Sequence, residues 1–152
     1  MASPATLRAA LLRGVVEAAR AALDARAASI ALVDARTGDL VFEAVAGGGG
    51  PELLGAHFRA DQGIAGHVVQ TGTALAIDDI ERDPRFAHDI AVETGYQPDA
   101  IAASPIRVDD DVVGVLSVLD PGPEPAPGAA AVLEALCEHA AAAIVLSEAL
   151  AV

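Results

Sequence analysis

Apolar and polar positions along the chain are most regular in two runs, 101–108 and 112–119, joined by Asp109, Asp110 and Asp111. Positions 112–119 are β-branched-rich and apolar at odd and even positions alike, so neither face of that strand is meant for water and it belongs in the middle of a sheet. Three consecutive aspartates cannot be buried unpaired, and Asp tolerates turn geometry, so they form the solvated tip of a hairpin. Pro105 lacks a ladder donor and predicts an irregularity in the first arm. A second hairpin joins 29–33 to 40–46 through the turn-forming stretch 34–39.

Helical spacing marks the two ends. Ser3 before Pro4 starts a helix in which Leu7, Leu11, Val15, Ala19 and Leu23 recur every fourth residue, widened by Leu12 and Val16, and which ends near residue 25. From residue 129 a last helix runs to the end, with Val132, Leu133, Leu136, Ala140, Ala143, Ile144 and Leu150 giving an apolar face broader than one partner surface needs. Between the hairpins, Asp61 is placed to cap a short helix over 62–71 that stops at Gly72. Gly63 and Gly66 weaken that helix and point to close approach of its backbone to a neighbour. Positions 74–77 form a brief strand, and Asp83 before Pro84 starts a further helix that carries Phe86, Ile90 and Val92 and stops at Gly95. The Pro-Gly-rich stretch 121–128 is a surface connector, and the glycine run 47–50 is a loop that lacks the Lys-Ser or Lys-Thr of a phosphate-binding turn.

Composition narrows the picture. With 152 residues and 53% hydrophobic content, one domain with a single core is expected over 1–152, its first helix within 1–26, sheet and intervening segments within 29–119, and last helix within 129–152. Every basic residue is Arg, a bias that suggests a GC-rich bacterial genome. A formal charge of −13 argues against nucleic acid and anionic membrane surfaces as partners. Neither a leader pattern nor an apolar run of about 18 residues is evident, so a cytoplasmic, non-membrane protein is expected. The single cysteine, Cys137, excludes an intrachain disulfide and reads as a packed thiol. The carboxylates Asp78, Asp79, Glu81 and Asp83 read as a solvated loop rather than a cation site.

Two stretches carry a resemblance. Gly63-Ile64-Ala65-Gly66-His67-Val68-Val69-Gln70-Thr71-Gly72, followed by 74–79 and Asp83-Pro84-Arg85-Phe86, and then Ala103-Ser104-Pro105-Ile106 with Val113-Gly114-Val115-Leu116, are similar to the GAF domain family over nearly the whole chain. The resemblance implies an α+β GAF fold, PAS/profilin-like, with a central antiparallel sheet of five to six strands. Terminal helices lie on one face and a lid of short helices and loops on the other. For the five strands above it implies the order 2-1-5-4-3. It places a ligand between the sheet and the segments 58–72 and 81–98, with Phe58, Gln62, His67, Asp78, Phe86, His88, Asp89, Tyr96 and Ser104 as candidate contacts.

What the resemblance implies about chemistry is selective. Family members that bind bilin or reduce free methionine sulfoxide use lid cysteines, and this lid has none. Cyclic-nucleotide-binding members carry an Asn, Lys, Phe, Asp, Glu signature; Phe86 and Asp89 match two of its residues, but the chain contains no Asn and no Lys. Haem-binding members supply a lid histidine, for which His88 and then His67 are the candidates. Ser104, Ser117, His67, His88 and the lid aspartates lack the nucleophile context of a hydrolase triad. The expectation is a non-enzymatic sensory or regulatory domain of a bacterial signalling protein that binds a small molecule. No particular ligand or cofactor is implied, and the alternative is a structural dimerisation module. A homodimer through the terminal helices is expected in either case.

Overall fold

A computed structural model describes residues 2–48, 51–83, 98–122 and 128–151. Three α-helices are described: α1 (Pro4–Ala22), α2 (Gly63–Thr71) and α3 (Ala129–Leu150). They accompany six strands: β1 (Ala27–Val33), β2 (Leu40–Gly47), β3 (His57–Phe58), β4 (Leu75–Ile77), β5 (Ile101–Val108) and β6 (Asp111–Leu119). The strands form one antiparallel sheet in the order β3-β2-β1-β6-β5-β4. This is the expected order with one addition, the two-residue β3 at the outer edge of β2.

The organising hairpin forms as its sequence requires. Asp109 and Asp110 both take positive φ, +51° and +70°, the left-handed pair of a tight two-residue hairpin turn, and Asp111 already pairs with Val108. Pro105 stays in register opposite Val115. Pairing with β4 ends at Ala103, two residues earlier, so the missing N–H falls where β5 has no further strand neighbour on that side. The register break comes after Ile106, and the extra residue is Val113 on the other arm.

Alternation sorts the sheet into two faces. Ala28, Ile30 and Leu32 of β1, Ala44 and Ala46 of β2, Ile106 of β5 and Leu116 and Val118 of β6 share one buried cluster with Leu12, Val15, Val16 and Ala19 of α1 and Leu133, Cys137, Ala140 and Ile144 of α3. Ser3 caps α1, accepting from the Thr6 N–H at 3.1 Å, and Pro4 follows as the first helical residue. Along α3, alanines dominate the sequence and allow the close approach to α1 and the sheet. By length and composition α3 is apolar enough to cross a membrane, contrary to the expectation that no segment is; here its buried stripe packs on the helix face of the sheet.

The opposite face carries the smaller cluster, Ile64 and Val68 of α2 with Ile80, Ile101, Ala103 and Val115. Of the helix expected from Asp83 to Gly95, only Asp83 is described, in extended backbone after the turn at 80–82; 84–95 lie outside the described residues.

Candidate functional site

The α2 face of the sheet is where the resemblance puts a ligand, and its floor follows from the register. Across the middle runs the row Val45, Ser29, Ser117, Ala103, Leu75; one row toward the hairpin tip lie Phe42, Ala31, Val115 and Pro105. On the other side lie Ala27, Leu119, Ile101 and Ile77. Small side chains hold the centre and larger ones the flanks. At the β2–β3 edge the Phe42 and Phe58 rings meet, tilted, with centroids 5.1 Å apart.

Over the β5–β6 half sits α2, held by contacts that its glycines make possible. A Cβ on Gly66 would stand 2.4 Å from the Ala60 carbonyl oxygen, so only glycine lets the 59–61 segment cross there, and Gln70 Nε2 donates to that same oxygen at 2.9 Å. Gly72 ends the helix in the left-handed region, φ +66°, its N–H donating to the Val68 carbonyl at 2.8 Å. The Arg107 guanidinium donates to the Gly72 carbonyl, placing a cation at the helix C-terminus, where the helix dipole favours it. Asp61 is not the expected cap. Gln62 occupies the cap position without a side-chain bond, and Asp61 pairs instead with Arg59.

The far end of this face is secured by Asp120, in the left-handed region at φ +51°. Its carboxylate accepts from the Asp99 N–H at 2.8 Å and the Ala100 N–H at 3.1 Å, while the Ile80 N–H donates to the Asp99 carbonyl at 3.1 Å. The chain positions on either side of 84–97 are thereby tied to one end of the sheet.

Among the described residues, the candidates are not gathered. Phe58 lies on β3 and Asp78, exposed, just after β4; these are opposite edges of a six-stranded sheet, about 24 Å apart at the usual strand spacing. Gln62 is exposed at the start of α2, and His67 is half-buried on it, its carbonyl accepting from the Thr71 hydroxyl at 2.8 Å. Ser104 falls between Ala103 of the α2-face cluster and Pro105, in phase with Ala102 and Ile106, and so belongs to the other face, where Cys137 Sγ lies 3.7 Å from its carbonyl oxygen. Phe86, His88, Asp89 and Tyr96 lie outside the described residues. Sequence reasoning passed over Ser29 and the anchoring role of Asp120, and took Ser117 only as a triad fragment. Parity against the apolar neighbours was the signal that singles out Ser29 and Ser117.

Cys137 is buried against the β5 backbone. Burial pushes its thiol up from the usual 9.0; a hydrogen bond from Ser104 opposes this, and the carboxylates of Glu134 and Glu138 add to it. Among the described residues no three His, Cys, Asp or Glu side chains gather as metal ligands would.

Against known proteins, the GAF domain family matches residues 8–144. A probable 3',5'-cyclic phosphodiesterase of Caenorhabditis elegans is 32% identical over 123 residues, 73% of this chain but 16% of that protein. Two solved structures share the fold. The GAF domain of a phosphoenolpyruvate-protein phosphotransferase from Coxiella burnetii superposes with TM-score 0.83 at 23% identity, covering 93% of this chain and 84% of that one. A methyl-accepting chemotaxis protein gives TM-score 0.81 at 20% identity, covering 94% and 92%.

Proposed function

The chain belongs to the GAF domain family, and from that premise we propose that it is a small-molecule-binding sensory or regulatory domain without catalytic activity, part of a bacterial signal-transduction protein. GAF domains related to it occur in signalling proteins, the phosphodiesterase and the chemotaxis protein among them. The observation that carries the reading is the contrast across the sheet. The helix face is packed by two long helices, whereas the α2 face has a row of small side chains, Ala27, Ser29, Ala31, Ala103 and Ser117, all but Ser29 buried, with its one described helix over the β5–β6 half. A non-catalytic role accords with the sole thiol, Cys137, lying on the opposite face from α2.

A metabolite and nucleotide library screened by thermal shift tests this. A ligand at about 100 times its dissociation constant adds roughly 2.7 kcal/mol, a rise of about 5–10 °C for a chain of this size. Amide resonances of β1, β5, β6 and α2 should shift with it. If no compound moves the melting temperature, sensing gives way to the second reading.

That second reading is a homodimerisation module. Leu11 of α1 and Val132, Val145, Leu146 and Leu150 of α3 are exposed apolar side chains on the helices that cap the domain. Sedimentation should find a dimer that Leu146→Glu dissociates; a monomer at high micromolar concentration removes this reading.

A further inference from the structure

Ser29 and Ser117 stand directly opposite each other on β1 and β6, at the centre of the α2 face. Ser117 is only 7% exposed, Ser29 is half-buried, and among the described residues neither hydroxyl has a hydrogen-bond partner. Alanine or valine would hold a strand there without a polar atom to satisfy; neither serine oxygen is among the buried unpaired atoms of the described residues, so each keeps a solvent-facing side on which a ligand can take the place of water.

Their surroundings define what that partner is. Val45, Ala103, Ala27, Ala31, Val115 and Leu119 ring the pair, and none of them carries charge. An ionic group set on this floor would lose water and find no counter-charge among these floor residues. Each hydroxyl both donates and accepts, and cross-strand neighbours have Cβ atoms about 4.5–5.5 Å apart, close enough for one amide edge, with its N–H and C=O side by side, to meet both. A flat ring fits a floor whose centre is small side chains, beside the Phe42 and Phe58 rings.

We infer that Ser29 and Ser117 form the polar floor of the ligand site, and that the site takes a neutral, flat compound through a carboxamide or lactam edge. This rests on the sensing role proposed above and names the class of ligand.

The test is ligand-observed NMR titration of the full 152-residue chain with nicotinamide and uracil, beside their charged counterparts nicotinate and orotate. Wild type, Ser29→Ala, Ser117→Ala and Ser104→Ala are compared, with melting temperatures recorded for each. Ser104 is about as buried as Ser117 but lies on the other face, which makes it the matched control. Nicotinamide or uracil should bind wild type, at least tenfold more tightly than its carboxylate counterpart. Ser29→Ala and Ser117→Ala should each weaken it about three- to tenfold, the scale of one lost hydrogen bond, and Ser104→Ala should leave it unchanged. Two separate serine changes guard against one of them unfolding the domain. The inference is overturned if neither neutral probe binds, if the carboxylates bind as well, or if both serine variants bind like wild type. Should the metabolite screen yield a ligand indifferent to both serines, sensing stands and the amide assignment alone falls. If the screen and the probes are both silent, the two fall together.

Discussion

The two faces of this sheet are made from the same six strands and differ in how they are closed. On the helix face, Ile30, Leu116 and Val118 are wholly buried beneath α1 and α3, and the cluster runs unbroken from β2 to β5. On the α2 face, the described cluster is confined to β4, β5, β6, Ile80 and a nine-residue helix that begins at Gly63 and carries Gly66 inside it. Parity within each strand divides the helix-face core from the floor of the proposed site. Residues in one phase hold the domain together, and those in the other form a floor of small and hydroxyl side chains.

Truncation breaks or sharpens that division most strongly. Ile30→Ala should cost about 3–4 kcal/mol, near the middle of the range for large core deletions, because helices and neighbouring strands fix the cavity walls. Ile64→Ala, equally apolar but on the short α2, should cost less than about 2 kcal/mol, since a lightly anchored helix settles into the space. Urea denaturation of both variants decides. Equal losses would mean that the two faces contribute alike.

Next comes Gly66→Ala, expected to cost about 1–3 kcal/mol, because the new methyl meets backbone at Ala60 rather than a side chain that can turn away. The damage should stay local. Amide exchange should quicken over 59–72 and remain slow in β1 and β6; a uniform loss of protection would show that α2 belongs to the main cooperative unit.

How far the sequence could foresee this arrangement depended on what each signal encodes. The two-sided apolarity of β6 is a property of composition, and it placed that strand at the sheet centre; Gly72 was legible because a left-handed stop has few alternatives to glycine. Register is not written in composition. The extra residues Val113 and Glu43 are visible only once strands are paired, and β3, two residues long, has no pattern of its own apart from Phe58, which meets Phe42 across the edge. Asp61 looked like a cap because Asp commonly is one, and Arg59, two residues away, claimed it. Ser104 was assigned by its neighbourhood in a motif, whereas parity with Ala102 and Ile106 puts it beside α3. The two serines at the centre of the α2 face were not legible, because a lone serine in an apolar strand stands out only after the strand's two sides are separated.

A further effect is confined to alkaline pH. The Cys137 thiol is held protonated by burial, so its folded-state pKa lies above the usual 9.0. Its contribution to stability is complete below pH 9 and is lost as pH rises above that, when the unfolded chain releases the proton first. Wild type should lose stability faster than Cys137→Ala as pH rises above 9, the usual thiol value, and alkylation of the native protein at pH 7.5 should be slow. Parallel pH curves for the two proteins would contradict the buried thiol.

The smallest expected effect lies at the seam between the faces. Ile30 pairs with Ala44 and Ala31 with Phe42, so Glu43 is the extra residue of a bulge in β2. The bulge lets Glu43 reach the helix side of the sheet, where its carboxylate lies 3.3 Å from the guanidinium of Arg8 on α1. Both side chains remain 28–30% exposed, which leaves solvent to screen the pair. A double-mutant cycle with Arg8→Ala and Glu43→Ala should give a coupling of about 0.3–1 kcal/mol that shrinks as salt is raised to about 1 M, where the screening length falls to about 3 Å. A larger, salt-insensitive coupling would mean that this ion pair is part of the core that closes the helix face. No measurable coupling would mean that the bulge aims Glu43 without stabilising the contact, and that α1 is held to β2 by its apolar stripe alone.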